Sequence, residues 1–362
     1  MEKYIHIMPN EKFITPYIEF IKNNFNFEEH KFYLINGESE KKFKIPIYKN
    51  VYFYKSNKNN NFILIMDLIK LWIMLYKNLN KSKYLYFHSL FDKRIILFLF
   101  IFRKFLKKSN WVIWGGDLYC YKKRKSSFKY SIWYKIEDYV KRNFAYISTL
   151  VPEDYEVAKK YYKVKGKNQM AIYPVDFDIE FFNSLSIELK NDTYIQVGNS
   201  ADPSNNHFEI LDILSRYRNE NIRIFCILSY GDREYAKKVN EYGKKIFKEK
   251  FTGIFDYMAF KEYCNYLKKI DILVFNHKRQ QGLGNIFILS YLEKKIYMRN
   301  DISSWNYLTQ DLGLILNSYE NIRDESFKKF IRNDSKGNKK KLSETYFSEK
   351  YVSKVWKKNF QN

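Results

Sequence analysis

Cysteine, histidine, proline and glycine are all scarce in this 362-residue chain, with 3, 5, 6 and 12 copies. Cys120, Cys226 and Cys264 stand far apart, without redox or metal-ligand spacing. That excludes a disulfide scaffold and a zinc ribbon, and each cysteine is expected as an ordinary packed residue in a reducing, cytoplasmic setting. His6, His30, His207 and His277 are scattered, with no ligand spacing or carboxylate pair to organise them, so no metal site is expected. Neither a Walker loop nor a full dinucleotide fingerprint occurs; Gly282-Leu283-Gly284 lacks the third glycine and lies late in the chain. So little glycine and proline excludes collagen-like and low-complexity classes. Long apolar runs are missing too. The most apolar, Ile95–Phe102, is far shorter than the roughly 20 residues a bilayer crossing needs. Met1 to Pro9 reads as a first strand rather than a leader.

What is present is apolar and basic. Hydrophobic residues make up 46% and aromatics 19%, enough for a globular core, and the length suggests two domains. The aromatic share, beside so much Lys and Asn, is read as compositional bias and not as a base-stacking surface. Lys and Arg exceed Asp and Glu by 24 charges, which implies an anionic partner: a phosphorylated substrate, an anionic membrane or a nucleic acid. Ile95–Phe102 is clamped between Arg94 and the basic run Arg103, Lys104, Lys107, Lys108. Two readings fit that pattern: a helix lying in a membrane interface, or a buried helix with a solvated basic end.

Short apolar runs alternate with amphipathic stretches throughout. Strands are expected at Tyr4–Met8, Lys31–Ile35, Val51–Tyr54, Tyr84–His88, Trp111–Trp114 and Tyr146–Leu150, with helices near Thr15–Asn23, Ile63–Asn78, Lys93–Lys107 and Tyr130–Arg142. The rhythm resumes with strands near Tyr194–Val197, Arg223–Leu228, Ile272–Phe275 and Lys295–Met298. This predicts an α/β fold of two Rossmann-like, parallel-sheet domains facing across a cleft. Expected boundaries are 1–185 and 186–345, with a linker around Asp176–Ser184 and Lys190–Asp192. A terminal helix, 346–362, is expected to cross back to the first domain, after a solvated loop carrying Lys336, Lys339, Lys340 and Lys341.

Two polar strand-to-helix loops stand out in the second half. After Ile270–Phe275 comes Asn276-His277-Lys278-Arg279-Gln280-Gln281-Gly282-Leu283-Gly284-Asn285, then a helical stretch. In an open α/β sheet such a loop lies at the carboxyl edge of the strands, where ligands bind. Its glycines admit backbone N–H groups, the helix start adds partial positive charge, and Arg279 adds a full one, so it suits a phosphate. The second loop, Gly198-Asn199-Ser200-Ala201-Asp202-Pro203-Ser204-Asn205-Asn206-His207, has the same design. Asn199 and Ser200 offer hydrogen bonds, while Asp202, Ser204 or Asn205 can instead cap the helix that follows. One shared nucleotide-type site is the economical reading.

A third segment, Trp111-Val112-Ile113-Trp114-Gly115-Gly116-Asp117-Leu118-Tyr119, runs from a strand into two glycines and a carboxylate. There Asp117 is either a general base facing the cleft, with Trp114, Gly115 and Gly116 as cleft loop, or a turn-capping aspartate. His88, closing Tyr86-Phe87-His88-Ser89, is the alternative base, a ligand to sugar or phosphate, or a structural histidine.

Together these segments resemble glycosyltransferase family 56, the TDP-N-acetylfucosamine:lipid II N-acetylfucosaminyltransferases. The likeness rests on Trp111 to Tyr119, Val197 to His207, Arg279-Gln280-Gln281-Gly282-Leu283-Gly284 and the Phe87-His88 pair, with Tyr230-Gly231 matching less closely. The resemblance implies a metal-independent, cofactor-free transferase of the GT-B fold. Its second domain would bind a dTDP-sugar, in the family dTDP-4-acetamido-4,6-dideoxygalactose, through the two loops. Its first would bind a polyprenyl-diphosphate-linked acceptor at the cytoplasmic face of the bacterial inner membrane, in enterobacterial common antigen, O-antigen or related polysaccharide synthesis. An anionic membrane surface would be a partner and nucleic acid would not. Against it stand a GT-B enzyme using a UDP-sugar and, from other classes, a basic nucleic-acid-binding protein or a non-catalytic membrane scaffold.

Overall fold

The computed structural model describes every residue except 1–2, 12, 36–44, 57–60, 175–179, 181–183, 185–189 and 362, so most of the expected linker lies outside the described residues. Contacts divide the chain into two compact units: Met1–Asp176 with Glu349–Asn362, and Phe177–Ser348.

The first unit holds seven parallel strands: β1 (Tyr4–Met8), β2 (His30–Ile35), β3 (Val51–Tyr54), β4 (Tyr84–His88), β5 (Ser109–Val112), β6 (Tyr146–Thr149) and β7 (Lys167–Met170). Their order across the sheet is β3-β2-β1-β4-β5-β6-β7. The strands are short and mostly buried on both faces, so they appear in the sequence as near-continuous apolar runs. Strand order reverses between β1 and β4, and their carboxyl ends line a cavity of about 390 Å³. Ser89, directly after β4, lines it with φ +70°, held in that left-handed conformation as its N–H donates to Val112 O.

Register puts Tyr4, His6, His30, Phe32, Tyr86, His88 and Asn110 on one face of this sheet. The helix Ile14–Asn24 and the terminal helix Glu349–Phe360 supply ring partners there. Tyr4 and Tyr86 donate to Phe360 O and Asn359 O, both at 2.6 Å. The Asn359 amide accepts from Ser148 and donates to Met170 O, and Trp356 donates to Ile172 O.

The second unit has six parallel strands: β8 (Thr193–Val197), β9 (Ile222–Ile227), β10 (Phe251–Ile254), β11 (Ile272–Val274), β12 (Lys295–Met298) and β13 (Asn317–Ser318). Their order is β10-β9-β8-β11-β12-β13, with the reversal between β8 and β11.

One pair of readings is decided and one expectation is corrected. Ile95, Ile96, Phe98 and Leu99 of the helix Lys93–Ile101 are buried in the core of the first unit. The basic clamp therefore marks a core helix with a solvated end, not an interfacial one. The lysine cluster before the terminal helix is not a loop: Asn338–Glu344 is helical. Its Asn338 is buried, exchanging hydrogen bonds with the backbone of Ile315, and Lys341 Nζ donates to Gly313 O.

Candidate active site

In the second unit, β8 and β11 are the two strands on either side of the order reversal. The loops that follow them are the two polar loops singled out in the sequence, and hydrogen bonds join them into one structure.

Asn205 is its centre, fully buried. Its Oδ1 accepts from Asn199 N–H at 3.0 Å and pairs with His277 Nε2 at 2.7 Å. Its Nδ2 donates to Ser200 O, Ser200 Oγ and Asp202 O. The loops meet again where Asn206 Nδ2 donates to Asn276 O at 2.6 Å. Ser204 Oγ donates to Gln281 Oε1 at 2.9 Å, and Gln281 Nε2 donates to Asn199 Oδ1 at 3.0 Å. Asp202 accepts from Ser204 N–H and so caps the short turn Pro203–Asn205.

Glycine is needed at two points here. Gly198 has φ +68°, and a Cβ would fall 2.4 Å from His207 Nε2. Gly282 has φ +69°, caps the helix Leu283–Tyr291, and a Cβ there would strike Phe275 at 2.8 Å. Gly284 is exposed with open space beside it, and Asn285 accepts from Tyr263 at 2.5 Å.

Both loop histidines are neutral. Burial, then the Arg279 charge, pushes His277 down to about 3; burial pushes His207 down to about 4, opposed by Asp202. Positive charge at the loop surface comes from Arg279, which is half-buried and donates to Gln280 O at 3.4 Å. Among the described residues no carboxylate pairs with it. Gln280 itself is nearly buried.

Three residues outside the strong motifs complete this edge. Tyr230 sits 3.3 Å from Asn199 Nδ2, on a loop joined to the first by the Ala201–Gly231 bridge. Arg299, immediately after β12, donates to Asn276 Oδ1 at 3.1 Å while paired with Asp301 at 2.5 Å. Its sequence signal was its place: the first residue after a buried strand beside β11. Gln196 donates from β8 to Gly198 O at 3.0 Å.

In the first unit both expected bases are buried and already hydrogen-bonded. Asp117 is 1% exposed. Its Oδ2 accepts from Trp111 Nε1 at 2.6 Å and Leu90 N–H at 3.0 Å, and its Oδ1 from Trp114 N–H at 3.0 Å. Burial pushes its carboxyl up, opposed by Lys141 and these donors. Lys141 lies beneath, donating to Asp117 O and paired with Glu137 at 2.7 Å. Of the two readings of Asp117 this geometry is that of the turn-capping one: it clamps the Trp114–Gly115–Gly116 loop to β5, and Gly116 packs beneath the Phe91 ring. Asp117→Asn turns an NH2 toward one of these N–H groups and should cost about 2 kcal/mol. The thermal midpoint should fall by several degrees with kcat intact below it; a collapse of kcat at unchanged stability would restore the base.

His88 is fully buried with both ring nitrogens occupied. Its Nδ1 meets the Tyr173 hydroxyl, its Nε2 lies 3.0 Å from His6 Nδ1, and His6 Nε2 lies 3.0 Å from His30 Nδ1. Trp114 Nε1 donates to the same Tyr173 oxygen at 2.8 Å. An indole can only donate, so with the Tyr173 proton directed at His88 each imidazole passes a proton the same way, towards His30. Histidines 24 and 82 positions apart in sequence thus form one line, where scattered residues were expected.

Two Rossmann-type units, each a parallel sheet with a strand-order reversal, are the architecture of the GT-B glycosyltransferases. The structure superposes over its whole length on solved proteins of that fold. A glycosyltransferase from Rickettsia africae gives TM-score 0.66 at 11% identity, covering 100% of this chain and 98% of that one. Anabaena HepE, solved with UDP and glucose, gives 0.70 at 8%, covering 99% of each. WaaG, a glycosyltransferase involved in lipopolysaccharide biosynthesis, gives 0.61 at 9%, covering 99% of this chain and 98% of that one. The chain belongs to glycosyltransferase group 56: the family model described as 4-alpha-L-fucosyltransferase matches residues 15–362.

Proposed function

We propose that this transferase moves a 4-acetamido-4,6-dideoxygalactose unit from its dTDP donor to a hydroxyl of a polyprenyl-diphosphate-linked glycan at the bacterial inner membrane. The observation that carries the donor half is the pair of interlocked loops at the β8/β11 reversal, with an unpaired guanidinium on their rim. The difficult step is departure of a charged nucleoside diphosphate. A preorganised site offers fixed amides, a helix start and a cation where that charge develops. Arg279 takes the diphosphate, with the backbone at Gly282, Leu283 and Gly284 beside it. Asn199, Ser200 and Gln281 orient the donor, and Asn205, Asn206, His207 and His277 hold the loops in place without touching it. The acceptor belongs to the first unit, whose cavity lies at its own strand-order reversal. Membership of group 56 is what supports this choice of sugar and lipid.

Thermal shift with dTDP, UDP, GDP and ADP, in EDTA, tests the donor assignment. Ligand at about a hundred times its Kd should stabilise by about 3 kcal/mol. Selective stabilisation by dTDP is expected. Preference for UDP replaces the donor and keeps the reaction class, and no response to any nucleotide removes the site.

A further inference from the structure

The helix Asn61–Lys81 is apolar on two opposite faces, which a helix with one side in water ordinarily is not. Its inner edge, Leu71, Leu75 and Leu79, is buried in the core of the first unit. Its outer edge is Ile65, Met66, Ile69, Ile73 and Tyr76, which at 100° per residue form a single stripe opposite the buried one. These side chains are exposed: Ile65 58%, Ile69 45% and Ile73 50%. A row of large apolar groups along about 16 Å of helix costs free energy in water unless something covers it.

Charge says what covers it. The helix carries one acid, Asp67, and that is turned inward: it accepts from Tyr54 and Ser56 and pairs with Arg94 at 3.3 Å. Its exposed charges are Lys70, Lys77 and Lys81. Lys104 joins them, donating to Tyr76 OH and Asn80 Oδ1, both at 3.0 Å. Arg103 and Lys107 are exposed on the same turn, whose Phe102 packs against Tyr76. An apolar stripe flanked, among the described residues of this helix and the turn beside it, by exposed cations, with one face anchored in a folded core, matches the boundary layer of an anionic bilayer. No helix of the described residues is long and apolar enough to cross a membrane, so the geometry is that of a helix lying along one.

We infer that the outer face of the helix Asn61–Lys81 is the surface by which this protein docks on an anionic lipid bilayer. The basic segment Arg103–Lys108 supplies headgroup contacts at one end, while the core helix before it contributes none. The inference rests on the reading that the acceptor is lipid-linked, but vesicle binding and nucleotide binding can fail separately.

The test is cosedimentation of the full chain with vesicles of phosphatidylethanolamine and phosphatidylglycerol, against phosphatidylcholine vesicles, with no substrate present. Binding to the anionic vesicles alone, weakened by salt, is expected. Ile69→Asp with Ile73→Asp should weaken it at least about tenfold, leaving the thermal midpoint and the dTDP response unchanged. Should that pair unfold, Ile69→Ser with Ile73→Ser provides the comparison. Lys70→Glu with Lys77→Glu should weaken binding and flatten its salt dependence. Three results overturn the inference: no vesicle binding by the wild type, equal binding by the Ile69/Ile73 variant, or a dimer in solution that the same variant dissociates.

Discussion

Lowering the pH from 7 to 5 should cost this protein much of its stability. All five of its histidines are buried and held neutral. Burial pushes His30, His88 and His277 down to about 3 and His207 to about 4, and holds His6 well below its ordinary value. In the unfolded chain each takes up a proton near 6.5. The unfolded state therefore binds more protons throughout the interval, and stability falls with pH. The loss begins below pH 6.5 and continues to about 3 to 4, where the folded imidazoles themselves titrate. Between pH 7 and 5 each contributes about 2 kcal/mol, and the first unit contains three. Its melting midpoint should drop by roughly 10–20 °C. A midpoint unmoved over that range, or imidazole resonances titrating near pH 6.5 in the folded protein, would contradict neutral burial.

Arg279→Ala should lower kcat/KM for the donor by about 10²–10³-fold, the usual cost of removing one group aimed at developing charge. Stability should barely change, because the guanidinium makes one long hydrogen bond, to Gln280 O. Arg279→Lys should recover part of the loss: the ammonium supplies charge without the planar fork that suits a diphosphate. The dTDP response in thermal shift should weaken in the same order. Turnover within about threefold of wild type, on an intact fold, would move diphosphate recognition elsewhere along the loops.

Much of the fold was legible because buried parallel strands write themselves as apolar runs. β1, β3, β4 and β12 fall where the sequence puts them. The missed strands lack that signature. β7 is Lys-Asn-Gln-Met with half its length exposed, β10 contains a glycine, and β13 is two residues long. The two polar loops of the second unit were legible because strand, glycine and helix start are contiguous. Their mutual bonding was not, since His277 and Asn205 meet across 72 positions. Asp117 stayed ambiguous in the sequence for the opposite reason: its donors Trp111 and Trp114 are its sequence neighbours, and nothing in the spacing distinguishes a clamp from a base. The sequence left two readings of Ile95–Phe102 open, because its basic clamps are visible in sequence whereas which side of a helix stays uncovered is decided by packing.

The return of the terminal helix has a consequence for synthesis. Tyr4, Tyr86 and Ser148 find their partners in Asn359 and Phe360, so the first unit closes with residues the ribosome delivers more than 200 positions after β6. The second unit, by contrast, is continuous in sequence. On the growing chain the later half can therefore finish first, while the earlier half waits with its histidine-lined face bare. A pause, or a chaperone that shields that face, would act on the amino-terminal half long after its own strands have emerged.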